Sequence, residues 1–471
     1  MMSSFKRLTV PSMLARIYLC YALFTGLLLV IITPPFQTPD AVNHFYRATQ
    51  VAEGHWFATR YVGTSGGEID GSAVEFANLF APLIFGRGAK VERAVLEQAA
   101  SVHWSGVLRK AEFPNTAIYP PYTYLPQAVG IKIGQTVGLS VSQTYTLACL
   151  LGLLASAILT WCAIRTGRRV AIAIFVVALL PISSMVFSSM SQETLVFPVA
   201  FLLVAYLDRS IERASIMTAR ALALIGLALV LCISARPPYA GLLLLLFCPG
   251  LRLRADGFGW VRRGAACLLI GMVSAAAAWL FSAAAWAPVP PPRSVSGQMA
   301  YLLLHPEAIF EIARATVRAN GIFYLQSFVG ILGWLNVYLA PQYYIAAGFA
   351  GILAGIWSAC ASANTGTHSN GDRVWLIVSV LMCVGMIFGA LYLTWTPVQA
   401  PIVEGVQGRY FVPLVPLIGL ALAGVAPIGE LSRGGIIASR LLAVGLLSVL
   451  LLPIYTYAQA ASSLIGYYYV R

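Results

Sequence analysis

Charge is scarce in this chain, and acid scarcest: Asp and Glu total 17 against 30 Lys and Arg in 471 residues, and charged residues make up only 10%. A soluble protein cannot cover its surface with so little charge, and the 59% hydrophobic content excludes one. Histidine is rarer still, with five residues. The eight cysteines, Cys20, Cys149, Cys162, Cys232, Cys248, Cys267, Cys360 and Cys383, all fall inside or at the ends of apolar runs, which argues against a disulfide framework and a zinc site. No basic, aromatic-interleaved polar segment exists to bind DNA or RNA, so nucleic acid is not a partner. P-loop, GxGxxG, HExxH and GxSxG elements are missing in any suitable context, leaving nucleotide hydrolysis, Rossmann cofactors, zinc proteolysis and serine hydrolysis without support. There is no repeat of about 20 to 50 residues and no pair of inverted halves, which excludes a solenoid and weakens a transporter reading. The first apolar run has no small-residue cleavage site after it and reads as a retained span.

What the chain does have is a succession of apolar runs of about 18 to 23 residues, long enough to cross a bilayer as helices. The fold class that follows is an all-α polytopic membrane protein of about eleven transmembrane helices, a single integral unit over residues 1–471. Lys6, Arg7 and Arg16 before the first span, and arginines such as Arg165, Arg168, Arg169, Arg252, Arg254 and Arg433 in later short loops, place the N-terminus inside. Much of the net charge of +13 is explained by this topology. Residues 33–140 then form a large first extracytoplasmic loop, with a Gly-rich turn at Gly63 to Gly71, a polar helical stretch over Val91 to Lys110, and an interfacial belt from Tyr119 to Pro126. A second extracytoplasmic or re-entrant segment covers 287–340: an amphipathic helix over Pro306 to Asn320, then an apolar stretch from Gly321 to Ala340 broken by Gln326, Gly330, Gly333 and Asn336. The runs on either side of Arg236 are only about 14 residues each, predicting kinked helices whose shared tip lies below the outer surface.

Ionisable groups collect at the outer ends of these runs. Thr38 followed by Pro39 predicts a helix start, with Thr38 as N-cap and Pro39 at the first helical position, so that Asp40, His44 and Arg47 share one face. A carboxylate, an imidazole and a guanidinium there make a reaction centre; the alternative is a dipole partner and a headgroup contact. Glu193 heads a span and reads as an N-terminal dipole partner or a ligand contact. Arg236, between two short runs, reads as an anion contact, since charge at membrane depth needs a partner or a task. In Glu404-Gly405-Val406-Gln407-Gly408-Arg409-Tyr410, two glycines let backbone approach a ligand and the Arg409 fork suits phosphate; an ordinary turn with a snorkelling arginine fits equally.

Pro34 to Arg47, Tyr119 to Pro126, Arg236-Pro237-Pro238-Tyr239, His305-Pro306, Gly330 to Asn336 and Gly405 to Phe411 together resemble a family of bacterial multi-spanning membrane proteins, the domain of unknown function 2142. That family is similar to the C-type (GT-C-like) glycosyltransferases, which use lipid-linked sugars. Members usually carry a second acid where this chain has Ala41, an Asp near Glu193 and again at Asn336, and lysine at Arg236. The resemblance implies transfer of a sugar from a polyprenyl-phosphate donor to an extracytoplasmic glycan acceptor, such as a cell-surface polysaccharide, at the bacterial inner membrane. Asp40 would be the base, with His44 orienting it. Arg409, Arg236 and Arg47 would hold the donor phosphate, and Glu193, Glu404, Gln407 and Tyr410 would contact substrate. No cofactor is implied; a divalent metal is not favoured, because Asp40 has no acidic neighbour in its helix. The implied partners are the lipid-linked donor, the glycan acceptor and membrane lipid. The alternatives are a transporter or flippase of lipid-linked glycans, a polysaccharide polymerase or ligase, and a structural assembly protein.

Overall fold

The computed structural model describes residues 10–470 except 87, 214–215, 254–258, 288–289, 361–368 and 426–434. Lys6, Arg7, Arg254 and Arg433, cited above for topology, lie outside these residues.

Among the described residues, six helices are long and apolar enough to cross a membrane: Pro11–Ile32, Val141–Thr166, Glu193–Arg213, Gly259–Ser282, Asn370–Thr394 and Val444–Tyr468, the last lying within the helix Gly435–Tyr468. Pro11 opens the first at a position where its missing N–H costs nothing, and Thr33 ends it ahead of Pro34-Pro35, which cannot continue a helix. Close packing against Val141–Thr166 depends on Gly26, where a Cβ would meet the Leu153 side chain at 2.4 Å.

Other expected crossings are broken into shorter pieces. Residues 171–187 form two helices, Ala171–Ala178 and Pro181–Phe187, separated at Pro181, and every residue in both is buried. A segment that is apolar on all sides and too short to span is sheltered by other helices. The kink expected at Arg236 is present: helix Ala219–Ala235 ends there, Arg236 is extended, and a 3-10 helix runs from Pro237 to Phe247. Near residue 410 a 3-10 turn, Gly408–Leu414, leads into the short helix Val415–Leu422.

The chain is predominantly helical, as expected, but the segment between the first two long helices needs a correction of detail. Gly63 to Gly71 is not merely a turn: Ser65–Asp70 (β2) pairs antiparallel with Thr59–Arg60 (β1) on one side and Leu108–Glu112 (β3) on the other. Consequently the helix expected over Val91 to Lys110 covers only Arg93–Ser101. This segment has its own core, centred on Phe36, Phe45, Phe76, Phe80 and Phe113.

A second correction concerns residues 306–340. One helix, Ala308–Val329, runs straight through Gly321, and irregular backbone begins only at Gly330. Nothing crowds Gly321: a Cβ there would meet only Val317, at 3.9 Å.

Candidate functional site

Four charged residues from distant parts of the chain meet where elements begin or end. Asp40 immediately precedes helix Ala41–Ala52, Glu193 is the first residue of Glu193–Arg213, Arg236 separates Ala219–Ala235 from its 3-10 continuation, and Arg409 stands in the first turn of Gly408–Leu414.

The helix start differs from the expected one. Asp40, not Thr38, is the N-cap residue, with left-handed backbone (φ 63°) and no side-chain capping bond. The amide of Ala41 bonds back to the Thr38 carbonyl, so Thr38, Pro39 and Asp40 make a turn ahead of the helix. Asp tolerates this conformation better than most residues, yet it is strained for any non-glycine. Phe36, also left-handed (φ 67°), is locked in place nearby: its carbonyl accepts from Trp334 Nε1 at 2.7 Å and its amide donates to Tyr145 Oη at 3.2 Å. Asp40 is thereby aimed across the bundle. Its Oδ2 lies 3.9 Å from Arg409 Nη2, and its Oδ1 accepts from Asn115 Nδ2 at 3.2 Å.

Glu193 lies between the two arginines. Its Oε1 pairs closely with Arg236, and its Oε2 lies 3.7 Å from Arg409 Nε. Both guanidiniums sit over the Tyr410 ring, Arg236 Cζ at 4.6 Å and Arg409 Cζ at 5.5 Å from its centroid. Tyr239 Oη donates to the Tyr410 carbonyl at 2.9 Å, which fixes that platform. Glu193 is 1% exposed and Arg409 4%. Even so, hydrogen bonding is incomplete: Glu193 Oε2, Arg236 Nε, Arg409 Nε, Gln407 Oε1 and both amide atoms of Gln192 are buried without a partner. Buried polar groups are nearly always paired, and here several lack a hydrogen bond within the protein.

The remaining expected residues separate into those near this cluster and those apart from it. His44 Nδ1 is 2.7 Å from Tyr124 Oη, and its ring stacks on Tyr119. Burial, reinforced by the positive charges of Arg409 and Arg236, holds its pKa well below the usual value, so it is neutral. Its hydrogen-bond partner is therefore a tyrosine, not Asp40. Arg47 requires a correction as well. It is fully buried, and its donors go to the Tyr119 carbonyl (3.0 Å from Nη2, 3.3 Å from Nε), the Trp56 carbonyl (3.0 Å) and the Gln50 side chain. A guanidinium occupied this way, with four of its five N–H groups bonded inside the protein, ties the helix to two loops. Burial lowers its pKa to about 10, still cationic at neutral pH.

Glu404 is exposed and apart from the cluster; its backbone amide bonds to Thr396 Oγ1. The two glycines serve different ends. Gly405 takes positive φ (79°) against the Trp395 indole, while Gly408 lets Arg409's turn sit directly on helix Ala308–Val329, where a Cβ would lie 2.1 Å from the Phe328 nitrogen. Asn115, Gln192, Tyr119, Tyr124 and Tyr239 complete the surroundings without having been singled out from the sequence for a site role. The tyrosines carried a signal as members of the aromatic stretches, and Gln192 as part of the polar run Ser188 to Glu193. Among the described residues, no three His, Cys, Asp or Glu side chains come together as a metal site.

Fold and site together define a helical membrane protein with a buried acid–arginine cluster at the junctions of its elements. Residues 23–418 match the family described as predicted membrane protein, domain of unknown function 2142, and the chain belongs to that family. No curated protein matches it.

Proposed function

We propose that this protein is a membrane glycosyltransferase that moves a sugar from a polyprenyl-phosphate donor to a glycan acceptor, on the extracytoplasmic side of a bacterial inner membrane. The observation that carries the reading is the approach of the Asp40 carboxylate to the Arg409 guanidinium, 3.9 Å apart across 369 positions of chain, in a cluster with unpartnered polar atoms. Asp40 takes the proton of the acceptor hydroxyl as its oxygen attacks the anomeric carbon. The bond from that carbon to the phosphate oxygen breaks, and the phosphate leaves with the electron pair and an added negative charge. Arg409 and Arg236 stabilise that charge from fixed positions over Tyr410. Glu193 neutralises the guanidiniums while the site is empty. Neutral His44 and Tyr124 shape the wall beside Asp40. In this reading the lipid tail enters sideways past the short pieces around Arg236 and Arg409.

The test is sugar transfer by the purified protein in detergent, where no second compartment exists and a flippase registers nothing. Asp40→Asn is expected to lower turnover by about a thousandfold while the variant still folds and binds the lipid phosphate. Normal turnover in that variant would overturn the assignment.

A further inference from the structure

Helix Ala308–Val329 buries one stripe and exposes another. Ala308, Ile312 and Thr316, at four-residue intervals, and then Ser327 face inward. The opposite face carries Phe310 (81% exposed), Val317 (61%), Ile322 (75%) and Leu325 (70%). On a membrane protein, large apolar side chains this exposed meet acyl chains. Arg314 and Arg318 stand among them, exposed and one turn apart on the same face. Neither makes an ion pair or hydrogen bond with any described residue. Of the nearby acids, Glu307 meets His305 at 3.3 Å, and Glu311 reaches neither arginine.

We infer that this face binds the phosphodiester headgroup of an anionic membrane lipid, held between Arg314 and Arg318, with the acyl chains lying along Phe310, Val317, Ile322 and Leu325. The two side chains leave the helix about 6 Å apart along its axis, so two guanidinium forks converge on one phosphate. Charge next to lipid is costly without a partner, and no described side chain supplies one. An anionic headgroup does. Simple snorkelling into the interface predicts no preference among headgroups; a built site predicts one. The far end of the same helix seats Arg409's turn, where the Gly408 amide donates to Ser327 Oγ at 2.9 Å. Arg318 is roughly 14 Å of helix from that contact, so the lipid braces the helix without entering the cluster. The inference is independent of the proposed transfer reaction.

The full-length protein, purified in detergent, is incubated with equal amounts of phosphatidylglycerol and phosphatidylcholine, and the lipid it retains is measured by mass spectrometry. The native chain is expected to retain phosphatidylglycerol over phosphatidylcholine by about tenfold, and the Arg314→Gln/Arg318→Gln variant by no more than about twofold. Arg409→Gln should leave the preference intact; its loss there would move the site to the cluster and overturn the inference. Equal retention of both lipids by the native chain, or an undiminished preference in the double variant, would also overturn it. Should the double variant fail to fold, each single variant is expected to lower the preference by about threefold, and no change in either refutes the site. Excess inorganic phosphate should not displace the lipid, because the acyl contacts contribute to binding; displacement would show that the face takes phosphate alone.

Discussion

Helix Glu193–Arg213 carries two buried acid–arginine pairs, and they differ in how completely they are satisfied. Near its end, Asp208 is fully buried, and its Oδ2 accepts from the backbone amides of Arg168 and Arg169, each at 2.8 Å. Its Oδ1 accepts from Arg169 Nε at 2.7 Å, and its carbonyl from Arg169 Nη2 at 3.1 Å. At the helix start, about 22 Å away, Glu193 meets two guanidiniums yet leaves Oε2 without a hydrogen bond, as are Nε of Arg236 and of Arg409. The first pair is what a buried ion pair becomes when its task is to hold a loop against a helix. The second keeps bonding capacity that the protein itself does not use. Burial of charge alone therefore does not distinguish the two pairs; the hydrogen bonds left open at Glu193 do.

Substitution at the two acids should separate stability from binding. Asp208→Asn removes the charge opposite Arg169 and turns amide hydrogens toward donors, so it is expected to cost about 3–5 kcal/mol, read as a lowered thermal midpoint or lost folded yield. Glu193→Gln is expected to cost less, about 1–2 kcal/mol, because its second oxygen has no hydrogen bond to lose. Its main effect should be tighter binding of inorganic phosphate, since Arg236 loses its counter-ion and Arg409 keeps only Asp40; Asp208→Asn should not change that affinity. Equal losses of stability, or no gain in phosphate binding at Glu193→Gln, would break the contrast.

Gly408→Ala sharpens it from a third position. The new Cβ would lie 2.1 Å from the Phe328 nitrogen and 2.4 Å from the Tyr324 oxygen, and backbone on both sides cannot swing away. The turn must shift, at a cost of about 1–3 kcal/mol, and Arg409 shifts with it. Phosphate binding should weaken, although the variant removes no polar atom. Unaltered affinity would show that the seat of Arg409 on helix Ala308–Val329 does not matter.

The outline of this arrangement was legible in the sequence because charge is rare. Asp40, Glu193, Arg236 and Arg409 each interrupt or bound an apolar run, and few other acids compete with them. Arg47 shows what spacing cannot reveal. Its place one face along from Asp40 suggested a ligand contact, whereas its partners, the carbonyls of Tyr119 and Trp56, belong to loops that only the folded chain brings close. The small sheet was hidden for a similar reason. Gly66 and Gly67 read as turn residues, but a Cβ at Gly66 would lie 1.9 Å from the Ala111 oxygen and one at Gly67 2.2 Å from Gln50 Nε2. They are glycines so that β2 can lie close to its neighbours. Residues 171–187 read as a crossing by apolarity alone; Pro181 and burial on every side make them two sheltered helices instead.

The smallest expected effect comes from pH, and helix Ala41–Ala52 carries opposing terms at its two ends. Glu53, just past its C-terminus, accepts from the Asp70 amide at 3.0 Å, and burial raises its pKa to about 7. Because the folded value exceeds the unfolded one of about 4.5, the stability it contributes is present in acid and lost as pH rises toward 7. His44 works the other way. Its folded pKa is held well below 6.5, so the unfolded chain takes the proton first as pH falls, and stability present above 6.5 is lost on acidification. In the native chain the two slopes oppose each other. Glu53→Gln leaves the His44 slope, and the thermal midpoint should rise between about pH 5 and pH 6.5; His44→Asn leaves the Glu53 slope, and the midpoint should fall over the same interval. A fall in both variants would mean that His44 is not held neutral, and the wall beside Asp40 would then carry charge in the acidic range; a rise in both would mean that Glu53 is not held protonated.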